Sequence, residues 1–211
     1  MRQVIWDFLS IVAACFHIEE PIYEFGSLQV AGEGSADLRR LFPGLCYVGT
    51  DVREGPGVDR VLDLHNIDLP SQSAGTALCV ETLEHVEYPT RALEEIHRIL
   101  KPDGIAVISS TMFFPIHNYP HDYWRFTPEA FRSVLKPFTH SFVGFAGNRD
   151  LPHTVVGIGF KGNCPPLRDF EEMYRKWQLR SVRGGLSMLT WIRRLLTPPI
   201  LSGSGRRTMG L

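Results

Sequence analysis

Short apolar runs alternate along the chain with longer segments of mixed polarity. The runs have the length of buried strands, and the segments between them are long enough for helices. Such alternation is typical of a doubly wound sheet that is covered by helices. The pattern predicts seven strands, over Pro21–Phe25, Cys46–Thr50, Arg60–Leu62, Gly75–Val80, Gly104–Ser110, Ser141–Ala146 and Thr154–Phe160.

Two of the mixed segments carry helix signals at their ends. Thr90 is a candidate N-cap for a helix that Pro102–Gly104 would end, and Thr127 followed by Pro128 opens another. Both segments have an inward apolar stripe, made of Leu93, Ile96 and Leu100 in the first and Phe131, Val134 and Leu135 in the second. We therefore expect an α/β fold with a doubly wound, mostly parallel seven-stranded sheet and helices on both faces.

The N-terminal apolar run, Val4–Phe16, permits two interpretations. It follows Arg2 and resembles a secretion signal, but Asp7 interrupts it. Val4, Phe8, Ile11 and Cys15 share one face at helical spacing, which favours an amphipathic helix packed on the domain.

Charge divides the chain unevenly. The 211 residues have a net charge of −1, but the segment from Met173 onward holds eight basic residues and no acid, which leaves −9 on the first 172. The length suits one catalytic domain. We predict one domain of catalytic size over residues 1–165, including the N-terminal helix, and a basic amphipathic extension over residues 166–211.

Within the extension, Met188, Trp191, Ile192 and Leu195 recur at helical spacing. Such an arm could cover the acidic domain, contact a second subunit or lie on a membrane surface, and the first two are favoured. Residues 202–211, rich in Gly, Ser and Arg, should be flexible. The four cysteines are widely spaced without a Cys-x-x-Cys pair, which favours reduced thiols and a cytoplasmic location.

Two predicted strands end in an acid. Glu24 precedes a turn at Gly26, where a ligand could approach bare backbone, and Asp51 follows 27 positions later, where a carboxylate could accept both ribose hydroxyls. Taken singly, each motif also fits a tight turn or a loop cap.

Two further segments complete the series, Val61–Leu64 and Ala77–Val86, and Arg98–Gly104 precedes the next strand. With them, the chain from Tyr23 to Phe131 resembles the class I S-adenosylmethionine-dependent methyltransferases. The resemblance implies a Rossmann-like methyltransferase fold and S-adenosylmethionine as the cofactor. The first loop is longer than the family pattern, since Gly32 and Gly34 stand well after the first glycine.

The same resemblance implies a role for each cofactor residue. Gly26 and Ser27 would lie against the methionine part of the cofactor, Glu24 would hold its amino group or order the loop, and Glu81 or Thr82 would close that end.

At the other end, the resemblance implies that Asp51 takes the ribose hydroxyls and that Val52 lies against the adenine ring. Asp63 would accept a hydrogen bond from the adenine amine, and Leu64 would contribute backbone contact.

The segment from Phe113 to Phe126 follows the fifth predicted strand and holds two histidines, an acid, an arginine and six aromatic residues. It suits an acceptor pocket, although an aromatic loop packed across the sheet would look the same. His85 and His121 are the candidate proton acceptors, because imidazole titrates near neutral pH, and each could instead be structural. The segment resembles bacterial small-molecule methyltransferases that are associated with sugar or cell-surface pathways.

A divalent metal is a further alternative. Glu81, Glu84 and His85 resemble the Glu-x-x-Glu-His pattern of plant small-RNA 2′-O-methyltransferases and, more loosely, of ubiquinone-pathway O-methyltransferases, and His121 could be a fourth ligand. The same letters also occur in metal-free relatives.

The sequence thus predicts a methyltransferase that acts on a small-molecule or sugar-type acceptor at oxygen. A non-catalytic binding or scaffold protein on the same fold is the main alternative. A nicotinamide-dependent reductase is disfavoured because a compact Gly-x-Gly-x-x-Gly motif is absent, and a nucleic-acid enzyme because the first 172 residues are acidic.

Overall fold

A computed structural model of the chain describes residues 2–29, 37–117 and 120–184. Its strands are β1 (Ile22–Phe25), β2 (Tyr47–Asp51), β3 (Arg60–Val61), β4 (Ala74–Val80), β5 (Leu100–Thr111), β6 (His140–Gly147) and β7 (Pro152–Phe160). Its α-helices are α1 (Gln3–Cys15), α2 (Pro89–Ile99), α3 (Pro128–Val134) and α4 (Arg168–Gly184), and short 3₁₀ turns span Leu38–Leu41 and Leu83–His85.

The strands form one sheet in the order β3-β2-β1-β4-β5-β7-β6. All neighbouring pairs from β3 to β5 are parallel, whereas β7 is antiparallel to both β5 and β6. The chain winds outward from β1 to β3 and then returns to β4 on the other side of β1. Ligands of such folds bind where the winding reverses, beyond the carboxyl ends of β1 and β4. The predicted mostly parallel seven-stranded sheet is confirmed.

Helices cover both faces of the sheet, and each face has its own hydrophobic core. On one face, α2 and α3 pack through buried residues that include Leu93, Ile96 and Phe131. On the other face, α1 and α4 pack through Phe8 and Phe170. Successive residues of a strand point to opposite faces, so β4 supplies Cys79 to the first core and its neighbours to the second.

The N-terminal apolar run forms α1, and this helix packs on the sheet. Ile5, Phe8 and Leu9 have no exposed surface. The buried stripe is centred beside the predicted face, since Val4 and Cys15 are only partly buried. Because most positions of this segment are apolar, the sequence pattern alone does not fix which side of the helix is buried.

The ends of α2 and β5 differ from the sequence prediction. Thr90 lies inside α2, which begins at Pro89 after Tyr88 and has no side-chain cap. A proline at the first helical position is already preset for the helix, so the helix begins one residue before the hydroxyl that was expected to cap it. Residues 102–104 lie inside β5, which pairs with β4 from Leu100 onward. At α3 the prediction is confirmed, because the Thr127 side chain accepts a hydrogen bond from Ala130 N.

Helix α4 lies in the range assigned to the basic extension, yet it packs on α1 and β6. Phe170 and Trp177 are buried, and Trp177 Nε1 donates a hydrogen bond of 3.0 Å to Val4 O. Leu179 is exposed. The predicted apolar stripe from Met188 to Leu195, and residues 202–211, lie outside the described residues.

Across residues 2–29, 37–117 and 120–184, none of the helices combines the length and the apolar character that crossing a bilayer requires.

Candidate functional site

A cavity of about 640 Å³ opens at the carboxyl ends of β1, β2 and β4. It lies at the point where the winding of the sheet reverses, which is where the fold favours a ligand. All nine residues predicted to bind the cofactor line this cavity: Glu24, Gly26, Ser27, Asp51, Val52, Asp63, Leu64, Glu81 and Thr82. Both predicted proton acceptors, His85 and His121, also line it.

The turn after β1 depends on a glycine. Gly26 has a φ of +84°, and a Cβ added there would lie 2.2 Å from Thr82 Oγ1. The Thr82 hydroxyl is held in this position, since it lies 3.0 Å from each of two backbone acceptors, Phe25 O and Val80 O. The glycine therefore lets the Thr82 side chain pack directly against the turn after β1.

The carboxyl group of Glu24 is directed at a neighbouring strand. Tyr47 donates a hydrogen bond of 2.8 Å from its hydroxyl to Glu24 Oε2, and Glu24 is almost fully buried. Burial raises the pKa of Glu24 to about 7, against the opposing effect of the Tyr47 hydrogen bond. This arrangement suits a group that orders the β1 loop, which is one of the two roles the sequence suggested.

Two acids at the predicted adenosine end make the same local contact. Asp51 Oδ1 accepts from Arg53 N at 3.0 Å, and Asp63 Oδ1 accepts from His65 N at 2.8 Å. Each aspartate is thus fixed by the backbone two residues further along the chain, a contact that aspartate makes readily in turns. Val52 beside Asp51 is exposed and adds an apolar side chain to the cavity lining.

At the opposite end of the cavity, Glu81 forms an ion pair with Arg2 from the start of α1. Arg2 Nε donates to Glu81 Oε1 at 2.5 Å, and Arg2 N approaches Glu81 Oε2 at 3.4 Å. Glu81 has a φ of +52°, an uncommon conformation for a residue with a side chain and one that clusters at ligand sites. Arg2 was not among the predicted site residues.

The predicted proton acceptors are linked to each other through a backbone group. His85 Nδ1 is hydrogen-bonded to the carbonyl oxygen of His121. The His121 ring lies 5.5 Å from that of Tyr123. The His85 ring instead faces His117, with 4.8 Å between the ring centroids. His117 belongs to the aromatic segment after β5 and was not predicted as a site residue.

His117 is oriented by a buried acid. Its backbone N donates to Asp122 Oδ2 at 2.8 Å, and its Nδ1 lies 3.4 Å from the same oxygen. The Asp122 side chain is 1% exposed and is paired with Arg125, which lowers the pKa of Asp122 to about 2. The aspartate therefore stays ionised, and it holds a histidine at the wall of the cavity.

Glu84 is fully buried beneath these histidines. Its Oε2 accepts a hydrogen bond of 2.7 Å from the Ser110 hydroxyl, and within the described part of the chain no donor reaches Oε1. Burial raises the pKa of Glu84 to about 7. A buried carboxylate oxygen without a partner is costly, and proton or cation binding would relieve it.

The cluster that could hold a metal differs from the predicted one. Ligand atoms of Glu84, His85 and His117 lie within 4.8 Å of one another. Of the four predicted ligands, Glu81 is instead paired with Arg2, and His121 offers its carbonyl to His85. The sequence therefore predicted Glu84 and His85 of this cluster but not His117. The sequence does not show which histidine of the aromatic segment faces the other two residues.

Residues 45–108 match a protein family described as "Methyltransferase domain". This match spans β2 to most of β5 and includes Asp51, Asp63 and Glu81 of the cavity. The chain therefore contains a methyltransferase domain. The match favours the enzyme over the scaffold interpretation, and S-adenosylmethionine is the cofactor of this methyltransferase.

No curated protein matches the sequence of this methyltransferase. Solved structures match its fold. A SAM-dependent methyltransferase from Thermotoga maritima, described as a possible histamine N-methyltransferase, is 20% identical with a TM-score of 0.54, over 75% of this chain and 91% of that one. A putative methyltransferase from Bacillus halodurans C-125 is 12% identical with a TM-score of 0.53, over 75% and 100%. A protein from Pyrococcus horikoshii OT3 is 12% identical with a TM-score of 0.56, over 77% and 91%. These similarities establish a shared fold, so the acceptor must be inferred from the cavity itself.

Proposed function

We propose that this methyltransferase methylates a hydroxyl oxygen of a small-molecule or sugar-type acceptor. The observation that carries the proposal is that three imidazoles, those of His85, His117 and His121, share one cavity with the strand-end residues assigned to the cofactor. A hydroxyl must lose its proton as it is methylated, and imidazole accepts protons near neutral pH. A volume of about 640 Å³ is within the usual range of small-molecule sites.

The cofactor is assigned to the strand ends, as the resemblance implied. Asp51 takes the ribose hydroxyls, Val52 and Leu64 contact adenine, and Asp63 accepts from the adenine amine. The opposite end of the cavity, beside Gly26 and Thr82, takes the methionine part. The residues assigned to that end are Glu24, Gly26, Ser27, Glu81 and Thr82.

When bound, S-adenosylmethionine supplies an electrophilic methyl group on a sulfonium. The protein's task is to hold the acceptor oxygen in line and to remove its proton, so positioning supplies much of the rate. We assign proton removal to His85. The hydrogen bond from His85 Nδ1 to the His121 carbonyl fixes the tautomer with its lone pair on Nε2, which can take the hydroxyl proton and release it to water. His121 itself is the second candidate for this step.

A divalent ion held by Glu84, His85 and His117 is the second candidate arrangement. The observation in its favour is the buried Glu84 Oε1, since an ion would supply its missing partner. An ion in that place would gather acceptor oxygens and lower the pKa of a bound hydroxyl. The same three residues would then act as ligands, and His85 would not be the proton acceptor.

We also retain the predicted partners and location as proposals. The acidic first 172 residues disfavour a nucleic-acid substrate, and the predicted C-terminal extension is assigned to domain covering or to a homodimer contact ahead of a membrane surface. The cytoplasm remains the proposed location.

The cofactor assignment is tested by replacing Asp51 with Ala. S-adenosylhomocysteine should raise the melting temperature of the wild-type protein, because it binds only the native state. Loss of a carboxylate that accepts two hydroxyl hydrogens should weaken S-adenosylhomocysteine binding by about ten- to a hundredfold, since charged hydrogen bonds contribute about 1.5–3 kcal/mol. Calorimetric titration measures the change. Asp68→Ala, at an exposed carboxylate that pairs with Arg60, is the control and should bind normally, since neither residue lines the cavity. An unchanged affinity in Asp51→Ala would contradict the ribose assignment.

A further inference from the structure

The ion pair of Arg2 and Glu81 lies inside the cavity and not on the outer surface. Both residues line the cavity, and their side chains are only 27% and 19% exposed. Glu81 directly precedes Thr82, whose hydroxyl stands against Gly26 at the turn after β1. The pair is therefore next to the end of the cavity that is assigned to the methionine part of the cofactor.

Arg2 is held in place from several sides. Its guanidinium lies 5.3 Å from the centroid of the Phe114 ring, and Nη1 lies 3.5 Å from His153 Nδ1. Burial lowers the pKa of His153, so that ring adds no second positive charge at neutral pH. Arg2 is the N-cap residue directly before α1, and Ile5 and Phe8 in the first two turns of this helix are fully buried. The guanidinium is thus fixed before any ligand arrives.

The other two arginines that line the cavity have different partners. Arg39 pairs with Asp59 and also contacts Gly57 O at 3.3 Å, whereas Arg53 pairs with Asp51 at the adenosine end. Among the described lining residues, Arg2 is therefore the arginine that stands beside Glu81. An anionic group bound at this end of the cavity would meet it first.

A paired cation and anion in a partly dry cavity are complementary to a zwitterion. The α-amino acid end of the cofactor carries one ammonium and one carboxylate, so it can insert between the two side chains and exchange one ion pair for two. Arginine suits a carboxylate particularly well, because its planar fork makes two parallel hydrogen bonds. The two protein groups are already desolvated in the empty site, which reduces the cost of binding.

We infer that Arg2 and Glu81 form the subsite for the amino-acid end of the cofactor, with Arg2 binding the carboxylate and Glu81 the ammonium. The inference rests on the proposed placement of the methionine part beside Gly26 and Thr82. It makes the first turn of α1 part of the binding site, although the residues that signal the cofactor motif begin only at β1.

Three ligands that differ only at the amino-acid end distinguish the contact of Arg2 with the carboxylate from the contact of Glu81 with the ammonium. S-adenosylhomocysteine has both charges, its decarboxylated analogue has the ammonium alone, and 5′-methylthioadenosine has neither. Arg2→Ala should weaken S-adenosylhomocysteine by about tenfold or more, the effect of losing a charge-assisted hydrogen bond, and should leave the other two ligands within about twofold. Glu81→Gln should weaken both ammonium-bearing ligands and spare 5′-methylthioadenosine. Calorimetric titration measures all nine combinations of ligand with wild type and these two variants.

Two further variants make the result interpretable. Gln3→Ala alters the next residue of α1, which is exposed, and should bind all three ligands normally. Arg2→Lys keeps the charge without the fork and should recover part of the lost affinity. Equal weakening of all three ligands by Arg2→Ala would overturn the inference in favour of a general effect on the cavity, and unchanged binding of S-adenosylhomocysteine would overturn it outright. Failure of the wild type to bind 5′-methylthioadenosine would instead count against the proposed cofactor placement.

Discussion

The two ends of the cavity are built in different ways. At the adenosine end, Asp51 and Asp63 each follow a strand and are fixed by a backbone N–H two residues later. At the methyl-transfer end, contacts join residues far apart in sequence, such as Arg2 with Glu81 and His85 with His121. The adenosine end therefore depends on local sequence, whereas the methyl-transfer end depends on how α1 and the segment after β5 pack.

This contrast bears on which residues of the cavity can be exchanged. An acid at a strand end is positioned by the strand itself. A histidine brought in from another element can be exchanged without disturbing the sheet, which is how one fold can serve many acceptors. We expect substitutions of the strand-end acids to weaken cofactor binding, and substitutions of the cavity histidines to slow methyl transfer.

The largest expected effect is at His85. His85→Ala should lower the rate of methyl transfer to a hydroxyl acceptor by about 10²- to 10³-fold, because general-base catalysis contributes on that scale. Its affinity for S-adenosylhomocysteine should stay within about twofold, and His121→Ala should lower the rate less. Turnover of S-adenosylmethionine, followed by mass spectrometry on a panel of sugars and phenols, measures these rates.

The same assay in excess chelator distinguishes a base from a metal ligand. Full wild-type activity is expected if His85 acts as the base. Loss of activity that manganese or magnesium restores would assign Glu84, His85 and His117 as ligands. A large loss of S-adenosylhomocysteine affinity in His85→Ala would contradict the separation of the two ends.

An intermediate effect is expected at Glu24. The pH dependence of stability tests whether its carboxyl is buried against the sheet or is available to a ligand. Its pKa is raised to about 7 from an ordinary value of 4.5, so between these values the folded protein keeps a proton that the unfolded chain releases. The contribution of this group to stability is therefore fully present below pH 4.5 and is lost as the pH rises through 7. The loss amounts to at most about 3 kcal/mol, at roughly 1.4 kcal/mol per pKa unit.

Glu24→Gln cannot ionise, so its stability should decline less than that of the wild type between pH 5 and pH 8. Urea unfolding of the ligand-free protein at several pH values measures the difference. Tyr47→Phe is the matched control, since removal of the hydroxyl donor should steepen the decline. Identical pH profiles for Glu24→Gln and wild type would show that the carboxyl is not buried as described.

The smallest expected effect is that of shortening the C-terminal extension. Deletion of residues 185–211 should leave S-adenosylhomocysteine affinity within about twofold, while it changes solubility or oligomeric state. Deletion of residues 166–211 should destabilise the fold, because it removes Phe170 and Trp177 from the core, and burial of each aromatic side chain contributes several kcal/mol. Calorimetric titration and size-exclusion chromatography compare the two. We accordingly propose that the catalytic domain extends to Gly184. A collapse of cofactor affinity after the shorter deletion would contradict that boundary.

The sequence alone predicted the sheet and the acids at its strand ends well. All seven strands were placed within a few residues, and the strand ends brought all nine proposed cofactor residues into one cavity. Periodicity and turn residues carry this information locally. Helix ends were less certain, as Thr90 shows, because a proline and a hydroxyl residue compete to start the helix.

The residues that sequence analysis missed share one property. Arg2 and His117 reach the cavity through contacts with distant elements, and neither lies in a strand-end motif. A lone arginine at the start of an apolar helix gives no local sign that it faces a glutamate 79 positions away. His117 is one of two histidines in an aromatic segment, and its hydrogen bond to Asp122 and its ring contact with His85 distinguish it from His121.

The packing of α1 on α4 has a consequence for co-translational folding. Val4 is tied to Trp177 by a hydrogen bond that spans 173 positions, and Phe8 packs on the same indole with 5.3 Å between ring centroids. Helix α1 therefore lacks part of its packing until α4 has been synthesised. Arg2, directly before α1, depends on the same packing for its position beside Glu81. A nascent chain arrested before Trp177 emerges would hold the strands of the adenosine end and yet lack a finished methionine end, so the ability to discriminate S-adenosylhomocysteine from 5′-methylthioadenosine would be acquired late in synthesis.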